Sequence, residues 1–237
     1  GVLTRRVAYR CLSNTADPSH VAVLTFTRQA ASELRRRLWS LGLRDSITAG
    51  TFHSVALSLL KQRWDDQRRP HPAVVSDRRR LIAEALGKNH SGSLNALSSD
   101  IDWARARNIG PDQYERACSA ISRRSSAPVA EVARVLGDIE VLKRRRGVID
   151  LDDLLSLMVR HMTDDPAFAS SVRWRLRHLF VDEAQDLNPL QSMVLDLWRH
   201  GRDDLTLVGD PAQSIYGFNG ADPSVLVLSL IHISEPT

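Results

Sequence analysis

Residues 178–189 read HLFVDEAQDLNP. The run His178 to Val181 is short and mostly apolar, and it stops at two adjacent carboxylates, Asp182 and Glu183. A run of this length, bounded by charge, reads as a buried strand. Asp186 follows three residues later, so negative charge is concentrated where the strand ends.

Working outward, PLQSMVLDLWRH (189–200) has helical periodicity, and DLTLVGD (204–210) is a second apolar run. On the other side, VAVLTF (21–26) reads as a strand and RQAASELRRRLWSLG (28–42) as a helix. Thr27 is placed to cap that helix, Ala30, Ala31, Leu34 and Leu38 share one face, and Gly42 ends it. ITAGTF (47–52) reads as a further strand and His53–Trp64 as a further helix. Strands alternating with helices predict an α/β fold with a parallel sheet.

Between Arg68 and Gly147 no strand pattern is evident. Ser76 is placed to cap DRRRLIAEAL, which Gly87 stops, and LNALSSDIDWARARN, PDQYERACSAISRR and PVAEVARVLGDIEVLKRRR all read as helices. Residues 68–147 are therefore expected to form an all-helical domain inserted between 1–67 and 148–227. DLDDLLSLMVRHM and PAFASSVRWRLR are helical patterns on the far side.

Composition sets loose bounds. Of 237 residues, 43% are hydrophobic and 25% charged, which is ordinary for a globular chain. The net charge of +4 permits nucleic-acid binding without requiring it. Arg35–Arg37, Arg78–Arg80 and Lys143–Arg146 are read as solvated helix faces, with DNA phosphates as the competing reading. Cys11 and Cys118 lack metal-ligand spacing, which is expected of a reduced, intracellular protein. No apolar run reaches the length of a membrane span, and the N-terminus is not a signal peptide.

In a parallel sheet, ligands bind beyond the carboxyl ends of the strands. Asp182 there can hold Mg²⁺ against nucleotide phosphates. Glu183 can orient and deprotonate an attacking water. The plain alternative is a strand ending in a solvated loop. The second strand and its loop, DLTLVGDPAQSIYGFNGADPS, favour a site: Asp210 and Gln213 follow the strand, and Tyr216 and Phe218 are aromatics in a polar loop. Gln213 suits sensing a γ-phosphate, and exposed rings suit base stacking.

These residues carry a family resemblance. FVDEAQDLNPLQ followed by LVGDPAQSIYGFNGA resembles the Walker B and third helicase motifs of UvrD/Rep-type superfamily 1 DNA helicases. VLTFTRQAASELRRR resembles their Ia motif, GTFHSVALSLL their Ib motif, and GVIDLDDLL the segment returning from the inserted helical domain. The resemblance runs from Gly1 to about Val227 in matching order. It implies an incomplete RecA-like P-loop NTPase sheet, ATP and Mg²⁺ as cofactors, and single-stranded DNA and single-strand/duplex junctions as partners. It further implies a bacterial cytoplasmic protein that moves 3′-to-5′ and serves DNA repair or recombination.

By the same resemblance, Asp182 serves the metal, Glu183 is the catalytic base, and Gln213 couples the γ-phosphate to DNA. Gln185 and Asp210 fall on the nucleotide side. Thr25, Phe26, Thr51, His53, Tyr216 and Phe218 lie along the single strand. Core packing competes with that role at Phe26 and is the reading adopted for Phe52. In the third motif, many relatives carry Trp at Phe218 and Arg at Asn219. Phe still stacks, whereas Asn219 lacks the charge, so no role is carried to it. Ala184 stands where several relatives have an aromatic.

An ATP site also needs a phosphate loop, G-x-x-x-x-G-K-[ST], whose backbone amides and lysine neutralise phosphate. Lys61 and Lys143 each follow leucine, while Lys88 follows Gly87 but has Asn89 after it and Ile82 at the first glycine position. No loop of this kind is present in the 237 residues. The resemblance places it immediately before VLTRRVAYR, so Gly1 is expected to begin just past it, with the second motor domain also lacking. Leu228–Thr237, LSLIHISEPT, departs from the family pattern and is expected to be an adapter-derived tail. The expected parent is an ATP-dependent DNA helicase, inactive as this piece alone. A non-catalytic DNA-binding or regulatory module, or a helicase subunit of a recombination nuclease, are the alternatives.

Overall fold

Helix α1 (Val2–Leu12) leads into strand β1 (Val21–Thr25), helix α2 (Arg28–Ser40), strand β2 (Thr48–Thr51) and helix α3 (Phe52–Asp66). The computed structural model describes residues 1–43, 47–87 and 93–210. A short strand β3 (Ala73–Val75) precedes helices α4 (Arg78–Leu86), α5 (Leu94–Arg105), α6 (Tyr114–Ala120) and α7 (Val129–Arg146). Strand β4 (Val148–Asp150) then begins the run α8 (Leu151–Asp164), α9 (Pro166–Arg175), β5 (His178–Val181), α10 (Pro189–Arg199) and β6 (Leu205–Leu207).

The main sheet has the order β2-β1-β5-β6 and is parallel throughout. Its central strands are buried on both faces, as parallel strands flanked by helices must be. Successive side chains alternate between faces. Val21, Val23 and Phe180 pack with α1 and α2, through Leu3, Val7, Leu34 and Leu38. Ala22, Leu24, Leu179 and Val181 pack on the other face with α3, α8, α9 and α10. The sheet is thus a layer between two helical layers.

Local signals explain the helix starts. The Thr27 hydroxyl accepts from the Ala30 amide at 3.1 Å, capping α2 as its sequence implies. Ala31, Leu34 and Leu38 are buried there, while Ala30 is only half-buried. Asn188 and Gln191 form a capping box at α10, with Pro189 at the first helical position. Asp77, rather than Ser76, caps α4, because its carboxylate reaches the Arg80 amide at 3.0 Å. Phe52 opens α3 instead of closing β2.

The stretch expected to be wholly helical contains β3, which pairs in parallel with β4: Ala73 stands opposite Val148, and Val75 opposite Asp150. Three residues are too few for the alternation that marks a strand in sequence. Their partner lies more than seventy residues away, so the pairing is a tertiary event. Helices α4 to α7 share a core of their own, built on Ile82, Leu97, Ile101, Tyr114, Val132, Leu136 and Ile139. Among the described residues, no helix is long and apolar enough to cross a membrane.

Candidate active site

The carboxyl ends of the strands lie level because the register aligns them. Thr25 stands opposite Thr51, Leu24 opposite Val181, and Val181 opposite Leu207. The Asp182 amide donates to the Leu24 carbonyl at 2.9 Å, and the Val208 amide to the Val181 carbonyl at 2.9 Å. Asp182 therefore emerges beside Thr25, one residue past the last paired strand positions.

The chain turns sharply there. Glu183 has φ 53° and ψ 41°, in the left-handed region that a side-chain-bearing residue rarely adopts. Strain of this kind persists only where the surroundings hold it. Here they do: the Ala184 amide donates to the Val208 carbonyl at 2.9 Å, tying the turn to the end of β6. The result is an exposed Glu183 side chain above a buried Gln185, which is 2% accessible.

Gln185 joins the two strand ends. Its Nε2 donates to the Glu183 carboxylate at 2.8 Å, and its Oε1 accepts from the Asp210 amide at 3.1 Å. Gly209 lies under this bridge. A Cβ there would come within 3.0 Å of the Ala184 nitrogen and 3.1 Å of the Gln185 nitrogen, besides striking the Gln185 carboxamide. Only glycine lets the two backbones approach this closely.

Asp182 is half-buried, and burial, together with the charge of Glu183, pushes its carboxyl above the ordinary value. The more distant N-terminal amine and Arg37 offset this in part. Neither Asp182 nor Glu183 has an ion-pair partner among the described residues, and no three-ligand metal cluster occurs among them. Two adjacent carboxylates without a cation are a hard-oxygen donor set that fits Mg²⁺, an ion that keeps waters and binds through one or two carboxylates plus phosphate.

The residues assigned to the DNA side occupy the same edge in different states. Thr25 is buried at the end of β1. The Thr51 hydroxyl accepts from the Ser54 amide at 3.2 Å and so caps α3. Phe26 is half-buried, its ring 6.0 Å from Phe52. Phe52 is wholly buried and stacks on Trp198 at 6.0 Å and 3°, so the core-packing reading of Phe52 holds. Burial lowers the His53 imidazole below its usual value, against the opposing field of Asp152. His53 Nε2 is enclosed without a hydrogen-bond partner among the described residues. Gln213, Tyr216 and Phe218 lie outside the described residues, as does the tail from Leu228.

The sequence reading missed a buried charge network where the α4–α7 helices meet the sheet layers. Lys143, read as part of a solvated face or a DNA contact, is 2% accessible. Its ammonium reaches Asp153 at 2.7 Å, Glu140 at 2.8 Å and Asp150 at 3.2 Å. Arg105 binds Glu140 at 2.7 Å, Asp150 at 2.9 Å, and also Asp153. Arg78 pairs with Asp102 and Asp152 and is likewise no free basic face. Burial alone would raise the Asp150 carboxyl, but Arg105 and Lys143 outweigh it and hold it at about 2. A signal existed: Lys143 continues the apolar series Val132, Leu136 and Ile139 at helical spacing. Nearby, the Leu190 amide at the start of α10 donates to the Ala106 carbonyl at 2.8 Å, linking the turn after Glu183 to the end of α5.

Comparison with known proteins matches the sequence to a helicase family. The profile of the UvrD/REP helicase N-terminal domain covers residues 1–230. The chain is 34% identical over 246 residues to the ATP-dependent DNA helicase UvrD2 of Mycobacterium tuberculosis, covering 95% of this chain and 34% of that protein. It is 29% identical over 238 residues to the ATP-dependent DNA helicase UvrD1 of Mycobacterium leprae, covering 93% and 31%. It is 28% identical over 233 residues to the ATP-dependent DNA helicase PcrA of Leuconostoc citreum, covering 93% and 30%. The chain spans about a third of the length of these curated relatives. With a parallel sheet carrying a carboxylate pair at its edge and a profile match across nearly its whole length, the chain belongs to the UvrD/REP helicase N-terminal domain family.

Proposed function

We propose that this chain is the first motor region of an ATP-dependent DNA helicase that couples Mg-ATP hydrolysis to movement along single-stranded DNA and to strand separation. The observation that carries the reading is the Gln185 bridge, which fixes the Glu183 carboxylate against the loop after β6. Asp182 would hold Mg²⁺, whose charge neutralises phosphate oxygens when bound. Glu183 would accept a proton from water as the water oxygen bonds the γ-phosphorus and the bond to the β-phosphate oxygen breaks. Asp210 would stand on the nucleotide side, and Gln213 would relay the state of the γ-phosphate.

Thr25, Phe26, Thr51 and His53, on the same sheet edge, would face the single strand, joined by Tyr216 and Phe218. Residues 1–67 and 148–227 are taken as two parts of one motor domain, with 68–147 inserted. Movement 3′-to-5′, a role in repair, junction substrates and a bacterial cytoplasmic setting rest on the family resemblance. Because these 237 residues hold no G-x-x-x-x-G-K-[ST] loop, the chain alone should not turn over ATP. Robust DNA-stimulated hydrolysis by the purified chain would overturn that statement. In the intact protein, Glu183→Gln should abolish turnover and preserve nucleotide binding. Normal turnover in that variant would remove Glu183 from the base role.

A further inference from the structure

The amino ends of the strands, opposite the carboxylate edge, carry a separate feature. Trp174 on α9 is 59% exposed, a large indole surface left in water. His20, just before β1, packs against it with centroids 4.8 Å apart, and the Arg177 guanidinium lies 5.6 Å from the ring centre. Beside the ring is a recess of about 640 Å³, with Arg173, Arg177 and Arg202 around it and Asp203 and Asp204 at one side.

Three guanidiniums around the recess face two carboxylates, which leaves it net positive. Arg173, Arg177 and Arg202 have no carboxylate ion pair among the described residues. The nearby carboxylates are engaged elsewhere: Asp17 with His20, Asp204 with Arg10 and His178, and Asp203 with Arg199 at 3.9 Å. Arg202 spends its donors on the carbonyls of Arg173, Leu176, Trp198 and Arg199, tying the ends of α9 and α10 together and fixing the recess. Burial lowers the Arg202 guanidinium, and Arg177 and Arg173 add to this against Asp204, as expected of like charges gathered in one place.

We propose that this surface docks an acidic, aromatic-bearing peptide segment of a partner protein. An exposed Trp flanked by arginines is the composition of a protein-binding hot spot, and the free positive charge selects an acidic partner. A nucleic acid fits less well. A single strand needs a row of stacking rings along a continuous basic groove, and here one ring adjoins one recess. The proposal stands apart from the nucleotide site, which occupies the other end of the strands.

The test is fluorescence anisotropy of a fluorescein-labelled decapeptide of alternating Glu and Phe, titrated with the 237-residue chain. Saturable binding is expected, weakened at least about tenfold by Trp174→Ala and by Arg177→Glu and retained by Trp174→Phe. A Glu-only decapeptide should bind more weakly. Thermal melting should be unchanged in all three variants; if Trp174→Ala melts early, the exposed Arg177→Glu alone decides. No saturable binding, equal binding by wild type and Arg177→Glu, or equal binding of the Glu-only peptide would overturn the proposal. So would oligothymidylate of equal charge binding more tightly with the same sensitivity to the variants.

Discussion

The Gln185 carboxamide holds the Glu183 carboxylate at 2.8 Å while its oxygen takes the Asp210 amide at 3.1 Å. A carboxylate can only accept and an amide N–H can only donate, so one Gln side chain satisfies both and a Glu cannot. Gln185 was placed on the nucleotide side by resemblance. Its burial makes it a brace between two strand ends.

Gln185→Ala in the intact protein should therefore lower ATP turnover by roughly a hundredfold, the usual cost of misplacing a reacting group by an ångström. Nucleotide affinity should change less than turnover, because the hydrogen bonds removed are those to Glu183 and Asp210. Parallel measurement of kcat and nucleotide Kd separates the two; a loss confined to Kd would refute the bracing role.

Gly209→Ala tests the close approach of the two backbones. The added methyl meets two backbone nitrogens and the end of the buried Gln185 carboxamide, which its two hydrogen bonds hold in place. Overpacking of this kind costs about 1–3 kcal/mol, which should lower the melting temperature by a few degrees. An unchanged melt would show that the turn can open without cost.

The buried network at β4 should give the protein a specific acid sensitivity. The Asp150 carboxyl sits at about 2 in the folded chain against an ordinary 3.8. A depressed folded value means stability that is fully present above about pH 4 and lost as pH falls toward 2, worth about 2 kcal/mol. Urea midpoints measured down this range should fall, and Asp150→Asn should flatten that part of the dependence. Lys143→Met should cost about 3–5 kcal/mol at neutral pH, because it strands buried carboxylates.

Phe26 and Phe52 should separate core from surface. Phe52→Ala removes a wholly buried ring stacked on Trp198 and should cost about 3–5 kcal/mol. Phe26→Ala, half-buried, should cost less and should weaken single-stranded DNA binding by the intact protein. Equal destabilisation with no effect on DNA would return Phe26 to the core.

Local pattern was enough for most of the architecture. VAVLT, HLFV and LTL are short apolar runs separated by helical periodicity, and that alternation specifies a parallel sheet without any contact being known. Asp182 and Glu183 were legible for the same reason: a strand that must be buried cannot end in two carboxylates without presenting them at the sheet's edge. Register, burial and pairing were not legible. β3 exists only because β4 arrives beside it, Lys143 is buried only because Asp150 and Asp153 close over it, and Gln185 reaches Asp210 only because β6 lies next to β5. Periodicity acts over a few residues and is written in the chain. Hydrogen bonds and ion pairs between separate elements, from Lys143 and Asp150 close in sequence to the distant β3 and β4, depend on the geometry of the folded layers, which tertiary packing alone decides.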